Sequence, residues 1–196
     1  MIICKSKPSF YFFTNSVNKI LEKNILKFTG INIICKDLKE ELKFSNLLKI
    51  KSFCKRNNLK FYIADNFKLA IKLNADGIYI SSWNKIIYPL YKSKFEFIGA
   101  VHHQKDFYYK LKQRCTKITL SPLFLNSKYS VNKILGTIKF NLLSKYFGKC
   151  EIIALGGINS KNLRKVYLTK SAGVGFASWI NKDELKKPVY FKNIRA

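Results

Sequence analysis

The sequence lacks any apolar run near the ~20 residues that a transmembrane helix requires. Its apolar beginning, residues 1–13, is interrupted by lysines too early for a signal peptide, so we expect a cytoplasmic protein without membrane association. The five cysteines include no C-x-x-C pair, and their odd number argues against a disulfide framework and a zinc site. We expect reduced thiols, most of them buried.

Acidic residues and arginines are also scarce. The chain has 11 acidic and 37 basic residues, and its formal net charge of +26 invites a nucleic-acid partner. Only four of the basic residues are Arg, which is preferred for bidentate phosphate and base contacts, and the lysines are spread over the whole chain. Abundant Ile, Asn, Phe, Tyr and Lys, the products of A/T-rich codons, favour general compositional drift. Nucleic-acid association is therefore the less favoured interpretation.

Short apolar runs recur at a steady interval and are typical of strands buried on both faces of a parallel sheet. Eight such runs occur, at residues 10–14, 31–35, 60–64, 77–81, 95–100, 117–121, 151–156 and 173–177. Segments with helical spacing lie between them. After the sixth run the predicted buried stripe consists of Ile134, Ile138, Leu142, Leu143 and Tyr146. Eight strand–helix repeats predict a single-domain (β/α)8 TIM barrel over residues 1–196, with a doubly wound open sheet as the alternative.

Glycines follow the seventh and eighth predicted strands, where barrels of this kind commonly bind phosphate. Gly156 and Gly157 end the seventh strand, and Gly175, Ala177 and Ser178 end the eighth. Glycine lets backbone N–H groups approach a phosphate closely, and a helix N-terminus adds a favourable dipole. A tight turn without a ligand uses the same Gly-Gly pair, but its place in the pattern favours a phosphate site.

Polar side chains follow the other predicted strands. They are Lys36, Asp65, Asn84, His103, Ser121, Asn126, Ser127 and Lys128. Lysines and a carboxylate at one shared barrel end would suit a phosphorylated small-molecule substrate with Mg²⁺. Simpler interpretations exist: Asp65 as the cap of the next helix, Lys36 as a solvated lysine, and His103 as a structural histidine.

Six segments occur in a distinctive order and spacing over nearly the whole chain. They are YIADNFKLAIKLNADGIYIS (62–81), FIGAVHHQKDF (97–107), ITLSPLFLNSK (118–128), ILGTIKF (134–140), IIALGGINSKN (152–162) and GVGFASWI (173–180). In this order they resemble the thiamine phosphate synthase / thiazole tautomerase family. The resemblance implies a small (β/α)8 barrel. It also implies a synthase that joins a hydroxymethylpyrimidine pyrophosphate to a thiazole phosphate, releasing pyrophosphate, with Mg²⁺ on the pyrophosphate.

The resemblance assigns site residues unevenly. Asp65 matches the family's metal-binding Asp, whereas its second metal-binding Asp falls on Asn84. This exchange removes one charge and is expected to weaken Mg²⁺ binding. Lys36 is the best match to an Arg of the motif after strand two, and His103 keeps the family's His after strand five.

The remaining matches concern the substrate. Ser121 lies in the strand-six motif, and Asn126, Ser127 and Lys128 replace the family's Thr-x-Thr-Lys loop. Gly156, Gly157 and Ser178 match the thiazole-phosphate side best. The tautomerase branch has a catalytic His where this chain has Ser121-Pro122, which argues against that reaction.

The resemblance therefore favours a synthase of thiamine biosynthesis with Lys36, Asp65, His103 and Lys128 as its catalytic set. A barrel that binds phosphate ligands but has impaired catalysis is the first alternative, and a Lys-rich nucleic-acid-associating protein is the second. Whether the chain forms a homo-oligomer is left open.

Overall fold

The computed structural model describes residues 9–16, 18–28, 30–36, 44–89, 94–126 and 130–177. Eight strands form a closed, all-parallel barrel in the order β1 to β8, with β8 paired to β1. The strands are β1 (Ser9–Thr14), β2 (Ile31–Cys35), β3 (Lys60–Ala64), β4 (Gly77–Ile80), β5 (Glu96–Val101), β6 (Lys117–Leu120), β7 (Glu151–Ala154) and β8 (Gly173–Phe176). The predicted barrel is confirmed, and the open sheet is excluded.

Six α-helices lie within the described residues. They are α1 (Lys19–Ile25), α2 (Phe44–Arg56), α3 (Phe67–Lys72), α4 (Gln104–Lys112), α5 (Gly136–Tyr146) and α6 (Leu163–Val166). Residues 81–89, which follow β4, form no helix, so the strand–helix alternation is interrupted there. Pro89 lacks a backbone N–H and disfavours a helix through this segment. No helix in the described part of the chain has the length and apolar character to cross a membrane.

The buried face of α5 differs from most of the predicted stripe, of which Leu143 packs against the core. Ile138, Leu142 and Tyr146 are 79%, 67% and 53% exposed, whereas Phe140 and, just after the helix, Phe147 are fully buried. The ring of Phe147 stacks on that of Phe107, with centroids 4.3 Å apart. Aromatic rings bury more apolar area than the aliphatic side chains of the stripe, so they determine which face of α5 turns inward.

Alternation along the strands sends one set of side chains into the barrel interior and the other toward the helices. The interior set comprises Tyr11, Phe13, Ile34, Tyr62, Ala64, Tyr79, Ile98, Ala100 and Ile153. We call the end of the barrel formed by the carboxyl ends of the eight strands the barrel mouth. A residue two positions beyond the last interior residue of a strand therefore points into this mouth. In β6 the interior residue is Thr119, whose Oγ1 lies 3.0 Å from Tyr79 Oη. This register brings the side chains of Lys36, His102 and Ser121 to the mouth.

Glu96 closes the opposite end of the barrel. Its carboxylate pairs with Lys60 and Lys117, and it accepts a hydrogen bond from Tyr62 Oη at 3.1 Å. Burial alone would raise the pKa of Glu96, but the two lysines lower it below its usual value. Two ion pairs thus close the amino end of the barrel, and the mouth is the end at which a ligand would bind.

Candidate functional site

Asp65 lies just beyond β3 and turns its carboxylate toward the segment after β4. Its φ is +54°, and its N–H donates to Tyr79 O at 2.9 Å. The carboxylate accepts hydrogen bonds from Ser81 N (2.9 Å), Ser81 Oγ (2.5 Å) and Asn84 Nδ2 (2.8 Å). Asn66, not Asp65, caps α3 by accepting the N–H of Leu69. The capping interpretation of Asp65 is therefore wrong.

Asn84 is buried, and both ends of its amide are engaged. Its Oδ1 accepts the N–H of Ile86 at 3.0 Å, which fixes that atom as the oxygen. Its Nδ2 donates to Asp65 and to Tyr88 Oη. Because the nitrogen faces the carboxylate, Asn84 offers no oxygen to a cation beside Asp65.

These contacts decide whether the Asp65 region fits the Mg²⁺ that the family resemblance implies. Mg²⁺ requires oxygen ligands in octahedral geometry and is usually bound through one or two carboxylates. Here a single carboxylate already accepts three hydrogen bonds. Within the described residues, no group of three or more His, Cys, Asp or Glu side chains could hold a metal ion. Among the described residues, the donor set around Asp65 therefore does not fit a Mg²⁺ ion.

Lys36 follows β2 and reaches over the interior of the barrel. Its Nζ lies 5.8 Å from the ring centroid of Tyr79, a buried interior side chain. A cation above an aromatic face is stabilised by the ring quadrupole. The contact holds the ammonium group at the mouth, half-buried, where an anionic ligand would enter.

His102, rather than the predicted His103, turns its imidazole toward Ser121. Nδ1 of His102 lies 3.0 Å from Ser121 O and 3.1 Å from Ser121 Oγ. The side chain of His103 is exposed, and His103 is the residue that precedes α4. The carboxylate of Asp106 accepts the N–H groups of His102 and His103. Burial would raise the pKa of Asp106, but these hydrogen bonds and Lys85 lower it.

Gly156 and Gly157 form a turn after β7 that only glycine can adopt. Their φ angles are +95° and +70°. A Cβ on Gly156 would lie 2.9 Å from Pro122 Cα, and one on Gly157 would lie 2.4 Å from Phe124 O. The turn packs against the segment after β6, where Phe124 N donates to Gly156 O at 3.0 Å. The hydrogen bonds among the described residues leave the N–H groups of Gly156 and Gly157 unused.

The remaining predicted residues lie near this turn or outside the described residues. Gly175 lies in β8, where a Cβ would come within 2.8 Å of Leu155 Cδ1, and exposed Ala177 follows that strand. Asn126 is half-buried at the end of its described segment. Ser127, Lys128 and Ser178 lie outside the described residues. The mouth therefore brings together Lys36, Asp65, Ser121 and the Gly156–Gly157 turn, each at a strand end.

Two features of this region were missed by the sequence reasoning. His102 could have been found from alternation, because Ile98 and Ala100 face the interior and His102 continues their register. Lys110 and Gln113 at the end of α4 bond to the segment after β4. Their signal is a lysine placed three residues after buried Phe107, on the inner face of the helix.

The chain is similar to known proteins over most of its length. A family model described as thiamine monophosphate synthase matches residues 1–180. Thiamine-phosphate synthase 1 of Streptococcus pneumoniae is 25% identical over 150 residues, covering 75% of this chain and 68% of that protein. The thiamine-phosphate synthase of Pelagibacter ubique is 26% identical over 191 residues, covering 91% and 92%.

Solved structures show the same fold. The thiamine phosphate pyrophosphorylase of Pyrococcus furiosus superposes with a TM-score of 0.68 at 17% identity. The superposition covers 89% of this chain and 87% of that one. At this level of identity the likeness concerns the barrel alone.

Proposed function

Since this chain belongs to the thiamine monophosphate synthase family and has a synthase-like role in thiamine biosynthesis, we propose that it is a working transferase. It joins a hydroxymethylpyrimidine pyrophosphate to a thiazole phosphate and acts in the cytoplasm. The bond between the pyrimidine methylene carbon and the pyrophosphate oxygen breaks, and its electron pair leaves with pyrophosphate. The lone pair of the thiazole nitrogen then forms the new carbon–nitrogen bond, which gives thiamine phosphate.

The observation that best supports this proposal is the Gly156–Gly157 turn. Successive backbone N–H groups in a turn conformation can form a concave anion site, and both residues of this turn have φ angles in the left-handed region. None of the hydrogen bonds in the described residues uses these two donors. We assign them to the phosphate of the thiazole substrate, together with Gly175 of the neighbouring β8 and Ala177, which follows that strand. Ser178 stays a predicted member of this site.

Lys36 is the residue we assign to the pyrophosphate. Negative charge develops on the leaving oxygen as the carbon–oxygen bond breaks, and a nearby fixed cation lowers the free energy of that transition state. The Tyr79 ring holds the ammonium group of Lys36 over the barrel interior before substrate arrives. Four further residues stay predictions for binding the pyrimidine pyrophosphate: Lys128, His103, Asn126 and Ser127. A Mg²⁺ requirement also stays a prediction, and the role of Lys36 does not depend on it.

Ser121 and His102 form the wall of the mouth between β5 and β6. Nδ1 donates to the carbonyl oxygen of Ser121 in one tautomer and accepts from Ser121 Oγ in the other, and either hydrogen bond fixes the orientation of the imidazole ring. We assign this wall to the pyrimidine, whose ring nitrogens and amino group need hydrogen-bond partners when they are desolvated.

The decisive experiment combines complementation with purified protein. The gene is expected to restore growth of a thiamine phosphate synthase-deficient strain without added thiamine. Purified protein is expected to form thiamine phosphate from the two precursors. Lys36→Met is expected to lower kcat by about a hundredfold, the usual cost of losing one fixed transition-state charge.

Lys72→Met provides the matched control for Lys36→Met. Lys72 also rests on an aromatic ring, with its Nζ 4.8 Å from the centroid of Phe44, but it lies at the end of α3. The Lys72→Met substitution removes the same charge and the same kind of contact. The kcat of this variant is expected to equal that of the wild type. No product from the wild-type protein under any metal condition would exclude the synthase proposal.

The poor fit of Asp65 and Asn84 to Mg²⁺ supports a second candidate, a barrel that binds phosphate ligands without turnover. Calorimetry with each precursor alone separates the two candidates. Binding of thiazole phosphate without binding of the pyrimidine pyrophosphate would favour the second. Binding of both, together with product, would favour the synthase.

A further inference from the structure

The connection between β4 and β5 depends on another element for its hydrogen bonds. Residues 81–89 form no helix, so their carbonyl groups lack the regular partners that a helix provides. Two side chains at the end of α4 supply these partners. Lys110 Nζ donates to Ser81 O at 2.7 Å and to Asn84 O at 2.9 Å. Gln113 Nε2 donates to Asn84 O at 3.0 Å and to Ile86 O at 2.7 Å.

Lys110 is fully buried, which is exceptional for a lysine. Its third hydrogen bond goes to Gln113 Oε1 at 2.8 Å, so all three of its donors are used. The aliphatic stem passes over Gly99 of β5, where any Cβ would come within 2.7 Å of Lys110 Cγ and Cδ. The sequence thus leaves room for this lysine with a glycine on the facing strand. Burial lowers the pKa of Lys110 to about 8, and Asp65 acts in the opposite direction.

Within the described part of the chain, the same short segment supplies every donor that bonds to the Asp65 carboxylate. Ser81 donates through N and Oγ, and Asn84 donates through Nδ2. Ser81 and Asn84 are therefore held on one side by α4, through their carbonyl oxygens, and on the other side by Asp65. The ammonium group of Lys110 and the carboxylate of Asp65 lie at opposite ends of one buried hydrogen-bond network.

We propose that this network is a charge-balanced unit in which Lys110 is the internal cation for Asp65 and positions Ser81 and Asn84 on its carboxylate. It follows that the free protein binds no divalent ion at Asp65. Lys110 touches no substrate in this arrangement and acts through the β4–β5 connection. Its effect on the reaction rests on the proposed function, whereas its effect on ion binding does not.

The first test measures Mn²⁺ binding to the free protein by electron paramagnetic resonance, with the metal alone as the probe. Any Mn²⁺ binding by the wild-type protein is expected to be independent of Asp65, so that Asp65→Asn leaves it unchanged. Lys110→Met, which leaves Asp65 without its internal cation, is expected to create Asp65-dependent Mn²⁺ binding at least about fivefold tighter than the residual, Asp65-independent binding of the wild-type protein. Lys112→Met, which removes the same charge from an exposed position on α4, is expected to leave affinity unchanged.

Two results would overturn the proposal. One is wild-type Mn²⁺ binding that is lost in Asp65→Asn. The other is a Lys110→Met affinity no higher than that of Lys112→Met. Circular dichroism and thermal melting check that the variants fold. Lys110→Gln, which removes the charge but keeps an N–H donor, replaces Lys110→Met if the latter does not fold.

The second test separates positioning from a general loss of structure. Lys110→Met is expected to raise KM for the pyrimidine pyrophosphate about tenfold, the usual scale for residues that orient a site from behind. KM for the thiazole phosphate, which binds near β7 and β8, is expected to stay unchanged. An equal rise in both KM values would contradict positioning. If the wild-type protein shows no turnover, the proposed function fails, and the Mn²⁺ test still decides the present inference.

Discussion

Gly157 shows at the scale of one residue how fold and ligand requirements coincide. Its φ of +70° and the nearby Phe124 O exclude any side chain. We expect Gly157→Ala to lower the free energy of unfolding by about 3 kcal/mol or more, because left-handed strain adds to a steric clash. It is also expected to abolish stabilisation by thiazole phosphate. Chemical denaturation with and without that ligand measures both effects.

Gly30→Ala is the matched control for this prediction. Gly30 has a φ of +72°, but a Cβ there would meet no atom within 4 Å. Its substitution therefore costs only the backbone strain, about 1 to 2 kcal/mol, and leaves ligand binding intact. Equal losses of stability in the two variants would show that the close packing of Gly157 does not matter.

Single residues at strand ends were predictable to different extents. Lys36, Asp65 and the glycine pair follow buried runs directly, so counting along the strand places them at the mouth. The donors of Asp65 were not predictable, because Ser81 and Asn84 reach it through a connection whose shape depends on Lys110. A buried lysine cannot be distinguished by composition in a chain with so many exposed ones.

At the scale of elements, helix α5 illustrates why spacing alone is insufficient. Ile138 and Leu142 have the spacing of a buried stripe, yet both are exposed because Phe140 and Phe147 occupy the inner face. Both sets fit helical periodicity, and the amount of apolar area that each can bury decides between them. The strands were predicted more accurately, since a run buried on both faces allows no choice of face.

A pair of substitutions in α5 tests this assignment. Phe140→Ala is expected to lower the free energy of unfolding by about 3 to 5 kcal/mol, since it leaves a cavity in a fully buried site. Leu142→Ala is expected to change it by less than about 0.5 kcal/mol, as for other surface substitutions. Urea denaturation of both variants measures the difference. If Leu142→Ala lowered the free energy of unfolding by more than about 0.5 kcal/mol, the exposed face of α5 would have to be covered in solution.

The barrel end closed by Glu96 gives a pH prediction. Its folded pKa lies below the unfolded value, so its ionised form stabilises the fold. This stability is fully present above the unfolded pKa of about 4.3 and is lost as pH falls through the lower folded pKa. Glu96→Gln is therefore expected to cost about 1 to 2 kcal/mol at pH 7 and progressively less below pH 4. Urea titrations from pH 7 to pH 3 measure this, and a cost that grows on acidification would contradict it.

At the scale of the whole molecule, the count of eight strand runs predicted the closed barrel correctly, because each run pairs with the next and the eighth returns to the first. The net charge was less informative. Exposed lysines lie on all six described helices, for example Lys19, Lys49, Lys68, Lys105, Lys139 and Lys165. This even distribution around the barrel counts against a nucleic-acid stripe. It agrees with compositional drift. It also means that the folded state contains electrostatic repulsion between its many lysines.

That charge predicts how salt affects stability. The chain carries a formal net charge of +26, and the described residues contain only three ion pairs, two of which share Glu96. Repulsion between lysines therefore outweighs attraction, and salt screens it within about 10 Å at 0.1 M. Raising NaCl from about 10 mM to about 150 mM is expected to raise Tm by about 2 to 4 °C, or about 1 kcal/mol. Chloride is used because sulfate could occupy the phosphate site, and KCl is expected to act equally. A fall in Tm would mean that the ion pairs dominate and that the lysines do not strain the folded barrel.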